Sequence, residues 1–193
     1  MELVVAKRNG RRRSPPSESE FFEAVGRAVV AWQGVETIAS TLFFVLLRAG
    51  NELGARSVFY RVSNFAMRVE LLDIAAKYLF QFSERVGDLP ERWEGLRSRL
   101  FSGSDLRNRL AHSELGEDEI GFKLRPPFFD FSRVDPNKLE KAMLARLGRE
   151  VDYVTVKGAE NLFEMLCHDI YRFRDDVARL KPKRTRKRQV RGG

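Results

Sequence analysis

Apolar residues recur every three or four positions along two long stretches of this chain, and this spacing constrains the fold more than any other feature. In the first stretch one row comprises Phe22, Val25, Val29, Trp32, Ala39, Phe43 and Leu46, and a neighbouring row comprises Phe21, Ala28, Val35 and Leu42. Near the other end Ala159, Phe163, Leu166, Ile170, Phe173, Val177 and Leu180 repeat the pattern. A period of about 3.6 residues is that of an α-helix with a buried face. The sequence therefore predicts a long core helix in each stretch.

Two further core helices are predicted between these stretches. One should extend from about Arg56 to Phe82, and the next should begin near Glu91. Their inward residues are Val62, Phe65, Val69, Leu72, Ala76 and Leu79 in one helix, and Trp93, Leu96, Leu100, Leu106 and Leu110 in the other. The "SGS" at 102–104 weakens the second helix, since a glycine costs about 1 kcal/mol. The apolar spacing stays in phase across it, which favours one continuous helix.

The residues after 118 do not continue the helical spacing of apolar residues. "IGFKL" and "FFDF", separated by "RPP", predict a small β-hairpin-like insertion over 119–133, and "DPNKLEKAMLARLG" predicts a short helix. The predicted fold class is therefore all-α, an antiparallel helical bundle of four main helices with a short helix and the insertion, over residues 17–180. Ser17 or Ser19 would cap the first helix.

Both ends of the chain are strongly basic. Residues 1–16 carry five basic side chains and residues 181–193 carry seven, which account for the whole net charge of +8 and leave the body mildly acidic. We interpret 1–16 as an arm and 181–193 as a tail, either merely solvated or binding a phosphate backbone in a salt-sensitive way. In the second case the contacts would come from Arg11, Arg12, Arg13, Lys183, Arg184, Arg186, Lys187 and Arg188.

The stretch "LRNRLAHS" at 106–113 holds the residue types that metal-free phosphodiester cleavage needs. Arg107 offers a planar, permanently charged fork for phosphate oxygens, His112 can move a proton, and Asn108 can orient either one. On a helix Asn108 and His112 share a face, whereas Arg107 and His112 point apart. A two-fold axis could bring two copies of the stretch together. On spacing alone, surface residues remain the commoner interpretation of such a group.

"RNRLAH" resembles the Arg-Asn-x-x-x-His signature of the HEPN superfamily, whose members are small helical bundles in toxin, defence and RNA-processing proteins. The helix order over about 20–180 agrees with that family. The resemblance implies a metal-independent ribonuclease that needs no cofactor and acts as a homodimer with both motifs lining one cleft. Arg107 and His112 would be catalytic, and Asn108 would hold the histidine or the phosphate. For a toxin, it implies an antitoxin partner such as a small nucleotidyltransferase.

Glu36 falls on the apolar row of the first helix. It lies either at the edge of the buried face or against a cation, for which Arg107 is the hypothesis. Family members often carry an acid facing the motif from the first helix, so the resemblance adds Glu36 to the catalytic candidates.

Other polar and aromatic residues give weaker signals. Cys167 and His168 lack the further ligands that zinc requires. The phenylalanines at 128, 129 and 131 could stack on bases, although packing against the bundle is the simpler role.

The composition limits where the chain works. The N-terminal residues have the order of a signal peptide reversed, the single cysteine cannot form an internal disulfide, and no uninterrupted apolar run approaches about 20 residues. A cytoplasmic protein outside the membrane, with RNA as its expected partner, is the prediction. The rival function is a non-catalytic dimeric module that binds nucleic acid or a partner protein.

Overall fold

The computed structural model describes residues 15–118, 121–126 and 150–183. They form an all-α bundle with a small β insertion, as the sequence predicts. The described helices are α1 (Glu18–Leu47), α2 (Glu52–Arg61), α3 (Phe65–Gln81), α4 (Leu89–His112) and α5 (Tyr153–Ala178). The described strands are β1 (Ser83–Glu84), β2 (Glu114–Asp118), β3 (Gly121–Arg125), β4 (Val151–Asp152) and β5 (Lys181–Pro182).

Helix α1 begins at the first of the two predicted caps, Ser17, which forms a capping box with Glu20. The Ser17 hydroxyl accepts a hydrogen bond from the Glu20 amide, and the Glu20 carboxylate accepts one from the Ser17 amide. The inward face is centred on the row of Phe21, Ala28, Val35 and Leu42, all of which are fully buried. Phe22 is about half exposed, so its predicted place in the core is wrong. Helix α5 packs against α1 more extensively than any other described helix does.

Helix α1 also has the length and apolarity of a membrane span. Its most apolar window has a mean hydropathy of 1.5. Core helices of soluble proteins can have the same length and the same hydropathy. In this fold Trp32 packs edge-on against Phe65 of α3 and Phe163 of α5, with ring centroids 4.8 and 5.1 Å apart. Phe21 contacts Tyr153 at the start of α5. The apolar residues of α1 thus form the centre of the bundle.

The second predicted helix is divided in two. Val62 adopts an extended conformation after α2, and the Asn64 side chain accepts a hydrogen bond from the Ala66 amide to start α3. Because α2 carries the chain back along α1, α3 runs parallel to α1, as the Trp32–Phe65 contact requires. Helix α4 is antiparallel to α3 and α5. The predicted antiparallel order therefore holds for α3, α4 and α5, whereas α1 is parallel to both α3 and α5.

Helix α4 continues through "SGS", as predicted. A Cβ atom on Gly103 would lie 3.0 Å from the Trp32 ring and 3.4 Å from Leu166. The glycine therefore allows α4 to approach α1 and α5 closely. The weak point of the sequence is a close-packing position rather than a kink.

The insertion contains a three-stranded antiparallel sheet in the order β2-β3-β4. Strand β3 matches the predicted "IGFKL" strand, but it pairs with β2, where the sequence predicts no strand. Leu124 and Val151 bury the inner face of the sheet against the bundle. The predicted "FFDF" strand, with Phe128, Phe129 and Phe131, and the predicted short helix at 135–148 lie outside the described residues.

Candidate functional site

The 106–113 stretch covers the last two turns of α4 and the residue that follows the helix. His112 is the final helical residue, and Ser113 turns into an extended conformation that leads directly to β2. Leu106 and Leu110 are buried and fix the helix face, so the polar residues between them point outward. The sheet and the beginnings of α1 and α5 lie at the same end of the bundle, because Phe21 contacts both Phe122 and Tyr153. We call this end of the bundle the motif end.

Arg107 and Asn108 contact each other, but neither contacts His112. The Arg107 guanidinium donates a hydrogen bond to Asn108 Oδ1 over 3.1 Å. Arg107 Nε is shielded from solvent and finds no acceptor among the described residues. His112 is exposed, and no side-chain hydrogen bond to it is present in the described part of the chain. A single chain thus presents the arginine fork and the imidazole as separate groups on one helix end.

Arg109, two positions after Arg107, already has an acidic partner. Arg109 Nε forms an ion pair with Asp105 one turn earlier, at 3.3 Å, on the exposed side of α4. Farther along, Lys123 and Arg125 of β3 pair with Glu150. These cations of the motif end already have acidic partners, whereas no acid contacts Arg107 within the described residues. Arg107 is therefore the better placed of these groups to receive an anion.

Glu36 lies elsewhere, and the predicted pairing with Arg107 is wrong. One Glu36 oxygen accepts a hydrogen bond from Trp32 Nε1 at 2.7 Å, and the other pairs with Arg68 at 2.9 Å. Arg68 is buried, donates to the Val62 carbonyl, and lies over the rings of Phe59 and Tyr60. We call Glu36, Arg68 and their partners the Glu36 cluster. Its contacts join α1 to α3 and the end of α2.

Arg68 was missed in the sequence. It falls on the inward row between Phe65 and Leu72. A cation in such a position needs an acidic partner, and that partner was not sought on another helix. Glu36 is an acid in the equivalent position on α1. Matching the two inward-facing charges would have made Arg68 a candidate beside Arg107, although the sequence alone does not say which helix faces meet.

The other candidate residues are distributed over the molecule. Lys183 lies at the opposite end, where its amide donates to the Phe82 carbonyl and its ammonium to the Gln81 carbonyl. Arg11, Arg12, Arg13, Arg184, Arg186, Lys187 and Arg188 lie outside the described residues.

Cys167 and His168 do not form a site with further ligands. Cys167 is half-buried, and burial, with the nearby Glu164, raises the pKa of its thiol. His168 is exposed. No group of three or more His, Cys, Asp or Glu residues in the described ranges is arranged to hold a metal.

Comparison with known proteins adds no family to this geometry. No protein-family model, no curated protein sequence and no solved structure matches the chain. The arrangement at the end of α4 therefore has to be interpreted from its own chemistry.

Proposed function

We propose that this chain is a metal-independent endoribonuclease of HEPN type, with its site at the motif end. The observation that carries the proposal is the accessible end of α4. There the arginine fork, oriented by Asn108, and the exposed imidazole of His112 lie within the last two turns of the helix, and neither has an acidic partner among the described residues. Positive and proton-transferring groups without an acidic partner suit an anionic substrate better than a structural role.

The proposed reaction uses the 2′-hydroxyl of the RNA as the nucleophile. His112 acts as the general base or acid, moving a proton from the attacking 2′-oxygen or to the leaving 5′-oxygen. The 2′-oxygen bonds to phosphorus while the bond from phosphorus to the 5′-oxygen breaks. Arg107 stabilises the negative charge on the phosphate oxygens during this exchange. The products are a 2′,3′-cyclic phosphate and a 5′-hydroxyl end.

The site is best completed by a second copy of the chain. Arg107 and His112 are five residues apart on one helix, so they point about 140° away from each other. Two motif ends facing each other across a two-fold axis would place Arg107 of one chain near His112 of the other. Homodimer formation at the motif end is therefore part of the proposal.

The N-terminal arm is better placed than the C-terminal tail to hold RNA at this site. Pro15 lies beside Gly121 at the motif end, so the arm with Arg11, Arg12 and Arg13 joins the bundle there. Lys183 is fixed at the other end of α3. Arg188 is five residues beyond Lys183, which is a reach of at most about 16–18 Å, whereas helix α4 alone is about 36 Å long. The basic residues from Arg184 to Arg188 therefore fall short of the motif end.

The rival proposal is a non-catalytic module that binds nucleic acid or a protein. Its supporting observation is that Arg107 already donates to Asn108 and does not contact His112. In this proposal the motif positions a ligand, and the basic ends supply most of the affinity.

Analysis of product ends after incubation of an RNA pool with the protein in EDTA tests the proposal. We expect fragments with cyclic phosphate and 5′-hydroxyl ends, and no cleavage at positions where the 2′-hydroxyl is replaced by hydrogen. RNA that is bound but remains intact would support the rival. Fragments with 3′-hydroxyl ends would contradict attack by the 2′-hydroxyl.

A further inference from the structure

Helix α3 keeps one apolar face uncovered by the described chain. Met67, Ile74 and Tyr78 are 59%, 66% and 66% exposed, and the half-buried Leu71 lies between them. These four residues follow the alternating spacing of four and three that forms the seam between two packed helices. They cover about 17 Å of the helix axis. The opposite face of α3 already packs in the core through Val69, Leu72 and Ala76.

A groove borders this face on the side of α1. It has a volume of about 370 Å³ and is lined almost entirely by apolar side chains, among them Leu47, Ile74, Tyr78 and Phe82. Leu47 and Phe82 are each about half exposed. A continuous apolar surface of this kind marks an interaction site more often than isolated exposed residues do. The groove and the α3 seam together form one surface, which we call the α3 face.

The α3 face is complementary to itself. When two copies of α3 pack antiparallel, Leu71 of each copy lies opposite Ile74 of the other, and Met67 lies opposite Tyr78. The midpoint of positions 71 and 74 along α3 is also the midpoint of positions 67 and 78, so one two-fold axis generates both pairings, as an isologous contact requires. Methionine adapts its shape well to an apolar groove. A parallel arrangement would instead place each residue opposite its own copy.

The charges beside the seam select the antiparallel arrangement. Glu70 and Lys77 border the seam on one side, and their side chains are 47% and 60% exposed. In the antiparallel register Glu70 of each copy faces Lys77 of the other, which gives two oppositely charged pairs. In a parallel two-fold arrangement each of these side chains would lie on the opposite side of the seam from its own copy, so neither would meet an oppositely charged side chain. The internal partners Arg97 and Asp73 leave donors and acceptors of both side chains available.

We infer that the α3 face is a contact through which two copies of this chain associate, antiparallel about a two-fold axis between Leu71 and Ile74. The contact is separate from the motif end. Helix α4 runs antiparallel to α3, and its Arg97 pairs with Glu70, so Arg107 lies about 15 Å farther along the bundle. The inference therefore does not depend on the proposed nuclease.

The mass of the assembly in solution tests this contact. Ile74→Glu places a charge beside the two-fold axis, and we expect light scattering to give half the wild-type mass. Met165→Glu is the matched control, because Met165 is equally exposed on α5, and it should leave the mass unchanged. If the motif end forms a contact of its own, the wild-type chain assembles beyond a dimer, and Ile74→Glu should still have a lower mass because only the motif-end contact remains.

A charge exchange gives the second test and does not depend on the fold of one variant. Glu70→Lys leaves two lysines per chain at the border, and Lys77→Glu leaves two glutamates. Each variant alone should have half the wild-type mass, whereas their mixture should recover it, because only the mixed pair restores both opposite charges. Melting curves of each variant confirm that it is folded.

Three outcomes would overturn the inference. One is a wild-type chain that remains monomeric at high concentration, which would mean that a different partner or another part of this chain covers the face. Another is an Ile74→Glu chain with the wild-type mass. The third is a mixture of the two charge variants that stays at the mass of its components.

Discussion

The Glu36 cluster and the last two turns of α4 contain similar residue types in opposite situations. In the cluster Glu36 contacts Trp32 and Arg68, and Arg68 also contacts the Val62 carbonyl and two aromatic rings. At the end of α4, among the described residues, Arg107 donates only to the neutral Asn108, and His112 forms no side-chain hydrogen bond or ion pair.

The difference separates charges that hold the fold together from charges that remain available for a ligand. A buried ion pair contributes little net stability when intact, but breaking it leaves a buried charge without its partner. An exposed helix end can lose a side chain at little cost to the fold. Variants in the two regions should therefore give opposite results in activity and in stability.

Among the variants that are compared with a matched partner, the largest expected effect is that of Arg107→Ala on RNA cleavage. Loss of one group that stabilises transition-state charge lowers the rate by about 10²–10³, while the melting temperature should change little. Arg109→Ala, one turn from the same helix end, is the control and should retain the wild-type rate because Arg109 pairs with Asp105. Equal losses in both variants would mean that only the positive charge of the helix end matters.

Glu36→Gln should show the reverse pattern. Arg68 would stay buried and keep its contacts with the two aromatic rings but would lose the charge of its carboxylate partner. The free energy of unfolding should therefore fall by about 1.5–3 kcal/mol, the value of a hydrogen bond to a charged group. The rate of RNA cleavage by the folded fraction should not change. Denaturant unfolding and the cleavage rate, measured on the same preparation, distinguish this result from the original hypothesis that Glu36 acts on Arg107.

Two glycines of α4 give a smaller contrast in stability. Gly103→Ala should destabilise the fold by about 1–3 kcal/mol because its Cβ atom would press on Trp32 and Leu166. Gly95→Ala has open space around it and should stabilise the fold by up to about 1 kcal/mol. Thermal unfolding measures both, and stabilisation by both would show that α4 does not pack closely at Gly103.

The smallest effect concerns Asp73, another internally satisfied acid. Burial alone would raise its pKa, but hydrogen bonds from Lys77 and Trp93, with the charge of Arg97, outweigh burial and hold the pKa below 3.8. A lowered pKa stabilises the folded state at pH values above the unfolded pKa, and that contribution is lost as the pH falls through the folded one. The difference in unfolding free energy between wild type and Asp73→Asn should therefore shrink as the solution is acidified below about pH 4. A constant difference would contradict the assignment.

Much of the fold was predictable from the sequence, because the helical period is strong in α1, α4 and α5. The break between α2 and α3 was missed because "VSN" does not interrupt the apolar row. The Asn64 cap is a local hydrogen bond, which leaves the spacing of the apolar residues unchanged. Strand β2 was missed because its pairing with β3 depends on tertiary contact rather than on its own composition.

The candidate site was only partly predictable. The position of "LRNRLAHS" at the end of a helix follows from the buried Leu106 and Leu110. The partner of Glu36 does not follow from periodicity, which places residues on faces but does not say which faces meet. Arg68 and Arg107 both lie on neighbouring helices, and only the direction of each helix relative to α1 selects Arg68.

The most direct test of the account is the initial rate of RNA cleavage by His112→Ala in EDTA, relative to wild type and at equal folded concentration. Loss of a group that transfers a proton should reduce the rate by about 10²–10⁴, with the melting temperature unchanged because His112 is exposed. A variant that cleaves RNA at the wild-type rate would contradict the central claim and assign the activity to another part of the chain.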